Sequence, residues 1–91
     1  MIGLSPALLT PSPVELTDAR DRLARAGVSH AATYAIVGME VSGRLGEVVR
    51  ALRRGDLARV ARILRWLAAL DLAAAERREQ IGAAGRSTGA A

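Results

Sequence analysis

Apolar residues recur at spacings of three and four along three stretches of the chain, each bounded by its own start and stop signals. In the first stretch Leu16, Ala19, Leu23 and Ala26 fall on one face of a helix. Ser12 stands at the N-cap, Pro13 at the first helical position, and Glu15 where a capping box places an acid. Gly27 supplies a left-handed stop. Val28 follows where a Schellman motif sets an apolar residue against Leu23.

The second stretch starts at Ser29, a second cap, and holds two apolar stripes. Its first half predicts Val28, Ala32, Ala35, Ile36 and Met39 as buried; its second half predicts Leu45, Val48, Val49 and Leu52. Wound on one ideal helix, the stripes point about 100° apart or more. The change falls at Ser42-Gly43-Arg44-Leu45-Gly46, where two glycines cost about 2 kcal/mol of helix propensity. The pattern therefore predicts a helix kinked or broken near Gly43–Gly46. A straight helix requires each stripe to face a different neighbour.

Gly55 stops the second stretch and Asp56 caps the third. There Val60, Ile63, Leu67, Leu70, Ala74 and Ile81 share one face, and Leu57, Ala61, Leu64, Ala68 and Ala75 widen the arc to about half the circumference. An arc that wide predicts two neighbours. After Ile81 the run 82–91 is mostly small residues and reads as a flexible tail. Residues 1–11 form an apolar arm whose Pro6 and Pro11 forbid a continuous helix; Ser5-Pro6 can open one helical turn. Ile2, Leu4, Leu8 and Leu9 of that arm need a surface to lie against. The expected fold class is all-α: one domain over 12–81, with helix one packed across an antiparallel helical hairpin that turns at Gly55.

Composition changes this picture in two ways. The chain has 91 residues, no Cys, one His, and only Tyr34 and Trp66 as aromatics. A core built largely from Ala gains little per residue, and disulfides are excluded. Self-association or a partner is the remaining remedy, and Leu57, Val60, Leu64 and Leu67 on the broad arc are the expected self-association residues. Charge is the second change. All thirteen basic residues are Arg, and the net charge is +4. Residues 14–25 and 71–86 are each balanced, whereas 44–65 carry seven Arg against Glu47 and Asp56. The surplus is concentrated in Arg50, Arg53, Arg54, Arg59, Arg62 and Arg65, around Gly55.

Guanidinium forks match phosphate and carboxylate oxygens, so this cluster predicts contact with phosphate or with an acidic partner. The alternative is a solvated end that suits the C-terminus of a helix. Trp66 projects close to Arg59 and Arg62, the composition of an interface anchor; its bland counterpart is a Trp covering the edge of the core. His30 has no ligand-spaced acid in its helix. Ser, Thr and Tyr34 have no visible activating base. Gly43 and Gly46 lack phosphate-loop spacing. No catalytic set, metal site, cofactor or small-molecule substrate is expected. No apolar run reaches the ~18 residues of a membrane span, and the start lacks the features of a signal peptide; a cytoplasmic protein is the expectation.

Residues 21–36, DRLARAGVSHAATYAI, resemble the helix-turn-helix pattern of bacterial regulators, with Ala26-Gly27-Val28-Ser29 at the turn. The pattern departs at Leu23, where a small residue is usual, and at Thr33, where an apolar anchor is usual. The implied recognition helix, 30–41, contains no Arg, Asn or Gln to read bases. The run ALRRGDLARVARIL is similar to the hairpins of helical repeat proteins, without their ~34-residue period. The expected function is accordingly that of a non-catalytic assembly or adaptor module, acting through self-association or docking on a larger protein. The alternative is a nucleic-acid-binding module whose Arg50–Arg65 end contacts phosphates.

Overall fold

The computed structural model describes residues 6–26 and 29–89. The expected roles of Gly27 and Val28 in ending helix one, and those of Ile2 and Leu4 in the arm, lie outside the described residues. The elements are a short 3₁₀ turn, η1 (Pro6–Leu9), and three α-helices: α1 (Pro13–Ala24), α2 (His30–Arg54) and α3 (Leu57–Gly89). The fold is all-α, with no strand among the described residues.

The local start signals act as their chemistry dictates. Ser12 Oγ accepts the N–H of Glu15 at 3.2 Å, and Glu15 Oε1 accepts the N–H of Ser12 at 2.9 Å, a complete capping box. Ser29 Oγ accepts the N–H of Ala32 at 3.0 Å and starts α2. Gly55, at φ 69°, closes α2 in the left-handed conformation that a side chain penalises. Asp56 Oδ1 then accepts the N–H of Arg59 and starts α3.

α3 is the central element. It packs against α1, α2 and η1. Glu40 of α2 meets Trp66 of α3, and Tyr34 meets Arg78, so α2 and α3 run in opposite senses. Glu15 of α1 meets Arg65 and Arg20 meets Glu76, so α1 runs in the same sense as α3. The main core lies where the three meet: Ala19 and Leu23 from α1 against Ala69, Leu70, Ala73 and Ala74 from α3, with Ile36, Val37, Trp66 and Leu67 packed around them. Small alanines on α3 let α1 approach closely. The broad apolar arc thus has a third neighbour, η1, besides the two expected. The molecule is elongated, 56 × 24 × 20 Å.

The expected break in the second stretch is corrected. α2 is one continuous helix, without a break at Gly43 or Gly46. Arg44 reaches back to Glu40 (3.7 Å) and forward to Glu47 (3.2 Å), so ion pairs straddle the glycine-containing turn. Packing on α3 supplies what helix propensity lacks there. The helix also continues past Ile81 to Gly89, where a tail was expected. No proline interrupts 82–89, and extending an existing helix avoids the cost of a new nucleus.

Candidate interaction surfaces

α2 presents an unexpected face to its neighbours. Thr33, only 1% exposed, Val37, Glu40, Arg44, Glu47 and Ala51 follow one another at spacings of four and three along its inner side. Most of this stripe is polar, and its polar groups have partners. The Thr33 hydroxyl donates to the Ser29 carbonyl at 2.9 Å. Glu40, with a side chain 17% exposed, accepts the Trp66 indole N–H at 3.1 Å and lies 3.4 Å from Arg22 Nε and 3.7 Å from Arg44 Nε. One carboxylate thereby ties all three helices together.

The apolar residues of α2 pay no part in that seam for the most part. Of the expected inward set, Ile36 packs on the core, and Ala32 and Val48 are half-buried. Ala35, Met39, Leu45, Val49 and Leu52 are exposed. The face that α2 offers α3 lies between the two stripes. Tyr34 (60% exposed), Val41, Leu45 (62% exposed), Val49 and Leu52 therefore form an apolar ridge on the outside of α2. Arg78 lies over the Tyr34 ring, 5.8 Å from its centroid.

The residues expected to mediate self-association sit differently. Val60 is 3% exposed and already covered within one chain. Leu67 packs against the core and Leu64 is half-buried, while Leu57 is exposed near the Gly55 turn. The wide arc of α3 is occupied largely by intrachain neighbours. Most of the exposed large apolar residues lie on α2, with Leu8, Val14, Leu57 and Leu72 exposed elsewhere, a distribution that periodicity alone does not reveal.

The second surface is the basic end. α1 begins opposite Arg65, so the last turns of α2 and the first two turns of α3 project beyond it. Arg50, Arg53, Arg54, Arg59 and Arg62 are exposed there, and their side chains form no ion pair among the described residues. Arg50, Arg54 and Arg59 line a shallow crevice of about 140 Å³ together with Glu47, Ala51 and Asp56. Arg65, expected as a member of this cluster, is instead a brace. It donates to Glu15 Oε2 at 3.4 Å and to the Leu8 carbonyl at 3.1 Å, fastening α3 to α1 and η1. Trp66, expected beside Arg59 and Arg62 as an anchor, is half-buried in the α2–α3 seam with its N–H on Glu40. The residue that sequence reasoning missed is Glu40. Its place in the run Thr33, Val37, Glu40, Arg44, Glu47, Ala51 is the signal that was available.

Electrostatics elsewhere support the fold. The Ser12 backbone N–H, and then the Ser12 hydroxyl and Arg65, hold the Glu15 carboxyl below its ordinary range, against a smaller opposing effect of burial. The two-pronged contact with Arg20, both N···O distances 2.9 Å, does the same for Glu76. No group of three or more His, Cys, Asp or Glu among the described residues is arranged to hold a metal ion. No helix among them is long and apolar enough to cross a membrane. No protein-family model matches this chain, and neither a curated protein nor a solved structure is similar to it.

Proposed function

We propose that this protein is a non-catalytic assembly module whose working surface is the outer ridge of α2. The observation that carries this reading is the inverted helix: Tyr34, Val41, Leu45, Val49 and Leu52 face water while Thr33, Glu40, Arg44 and Glu47 face the protein. Each large apolar side chain left in water forgoes roughly 1–2 kcal/mol that burial returns. A protein surface laid on the ridge recovers it. The test is a photo-reactive residue placed at Leu45 or, as a control on exposed α1, at Asp18, in cells producing the protein. Adducts of defined mass from Leu45, lost when Val41→Glu is added, are expected. Equal labelling from both positions, or none from Leu45, overturns the reading.

A second reading is favoured by a separate observation, the five arginines around Gly55 that form no ion pair among the described residues. Their guanidinium groups suit phosphate oxygens of a nucleic acid. Such contact is expected to be largely independent of sequence, because no Asn or Gln accompanies the arginines over 50–62. Its signature is a steep salt dependence of duplex binding.

A further inference from the structure

The outer ridge of α2 has a register that identifies what covers it. Along it Tyr34, Gly38, Val41, Leu45, the half-buried Val48 at its inner edge, and Leu52 are spaced four, three, four, three and four, the spacing of a coiled-coil seam. The series is symmetric about Gly43. Two copies of α2 laid antiparallel place Tyr34 opposite Leu52, Gly38 opposite Val48 and Val41 opposite Leu45 of the other copy. Each position meets an apolar or small residue, and the six seam positions of α2 carry no charge; Arg78 of α3 lies over the Tyr34 ring at the end of the seam. The solvent-side flank of the ridge is Ala35, Ser42 and Val49, also uncharged. A Cβ added at Gly38 would meet nothing within 4 Å inside the chain. That gap opposite Val48 lets two backbones approach.

We infer that the α2 ridge is an antiparallel, two-fold interface with a second copy of this chain. The inference rests on the assembly reading above and names its partner. Charge selects the direction. The five arginines without an ion pair among the described residues gather on the last turns of α2 and the first turns of α3. A parallel pair brings ten of them together, whereas an antiparallel pair centred on Gly43 sets Arg50, Arg53 and Arg54 of one copy about 21 to 33 Å along the axis from their counterparts, beyond the ~8 Å screening length at physiological salt. Area is consistent with a dimer: the exposed apolar surface of the ridge is on the order of 500 Å² per copy, a large part of the ~800 Å² per partner of a standard interface. A two-fold contact of this kind is self-complementary and closes, so it gives dimers and not fibres.

Sedimentation of the purified protein at about 100 µM, where a micromolar interface is saturated, is expected to give the mass of two chains. Leu45→Glu is expected to weaken the pair roughly 100-fold, because a carboxylate would be buried against Val41 of the other copy. Circular dichroism unchanged from wild type confirms that this variant folds, and Val41→Glu repeats the test from the facing position. Direction is read by cross-linking, since the chain has no Cys of its own. Mixed Tyr34→Cys and Leu52→Cys proteins should form a heterodimeric disulfide, with little self-linking of either. A monomer at that concentration, a dimer indifferent to Leu45→Glu, or self-linked Tyr34→Cys overturns the inference. The assembly reading is judged separately: adducts from Leu45 whose mass is not that of a second copy leave it standing, and the absence of adducts removes both.

Discussion

Glu40 holds the seam because Trp66 and Arg22 donate to its carboxylate and Arg44 pairs with it electrostatically, one group from each of the three helices. Removing it leaves the Trp66 N–H and the Arg22 guanidinium without this acceptor, while Arg44 keeps Glu47. Glu40→Ala is expected to cost about 2 kcal/mol, the range for hydrogen bonds to charged groups. Glu47→Ala removes only a pair to Arg44 on its own helix and should cost about 0.5 kcal/mol. Urea unfolding followed by Trp66 fluorescence measures both; equal effects would show that Glu40 is no hub. Glu15 gives a pH test. Its folded pKa lies below the ordinary value of 4.5, so its charge contributes stability above that value. This contribution is lost as pH falls through the lower folded value. Glu15→Gln keeps the capping geometry and removes the charge. It should be less stable than wild type at pH 7, with the gap closing once wild-type Glu15 is protonated. A gap that persists in acid would assign the effect to packing.

Glycine has opposite consequences at two positions of α2. At Gly43 the helix is regular, and an added Cβ meets nothing within 4 Å. Gly43→Ala should therefore stabilise by about 1 kcal/mol, raising the unfolding midpoint by roughly 4–8 °C in a domain of this size. At Gly55, φ 69° is the conformation that L side chains rarely adopt. Gly55→Ala should destabilise by about 1 kcal/mol or more although the space around it is open. Thermal melts of the two variants should move in opposite directions. A fall for Gly43→Ala would mean that a neighbour outside the single chain occupies that site.

At the scale of the whole molecule, charge is segregated. Arg20, Arg22, Arg44 and Arg65 are spent on acids within the fold, which leaves the surplus at the projecting end. If that end contacts nucleic-acid phosphates, log affinity for a duplex should fall with log salt by about 0.9 per phosphate neutralised. Arg53→Ala, Arg54→Ala, Arg59→Ala and Arg62→Ala combined should then abolish binding, while helicity and mass are unchanged because all four side chains are exposed. Absence of wild-type binding to duplex or single strands at ~50 mM salt removes the phosphate reading, and the cluster is left to an acidic protein surface or solvent.

The sequence by itself determined where helices begin and where the chain turns. Ser12 with Glu15, Ser29, and Gly55 with Asp56 act on backbone groups within a few residues, so their chemistry is legible without the fold. It also located the charge surplus, since composition along the chain does not depend on packing. Tertiary structure decided which face of α2 is inside. Apolar spacing marks faces that gain from burial, but only the position of α3 determines which one is buried. Here Arg22, Arg44 and Trp66 satisfy Glu40, and a polar stripe becomes the inner one. Long-range contacts likewise turned Arg65 from a free cation into a brace and Trp66 from an edge residue into part of the seam. Their partners Glu15, Leu8 and Glu40 lie 26 to 57 residues away in sequence, beyond the reach of any local pattern.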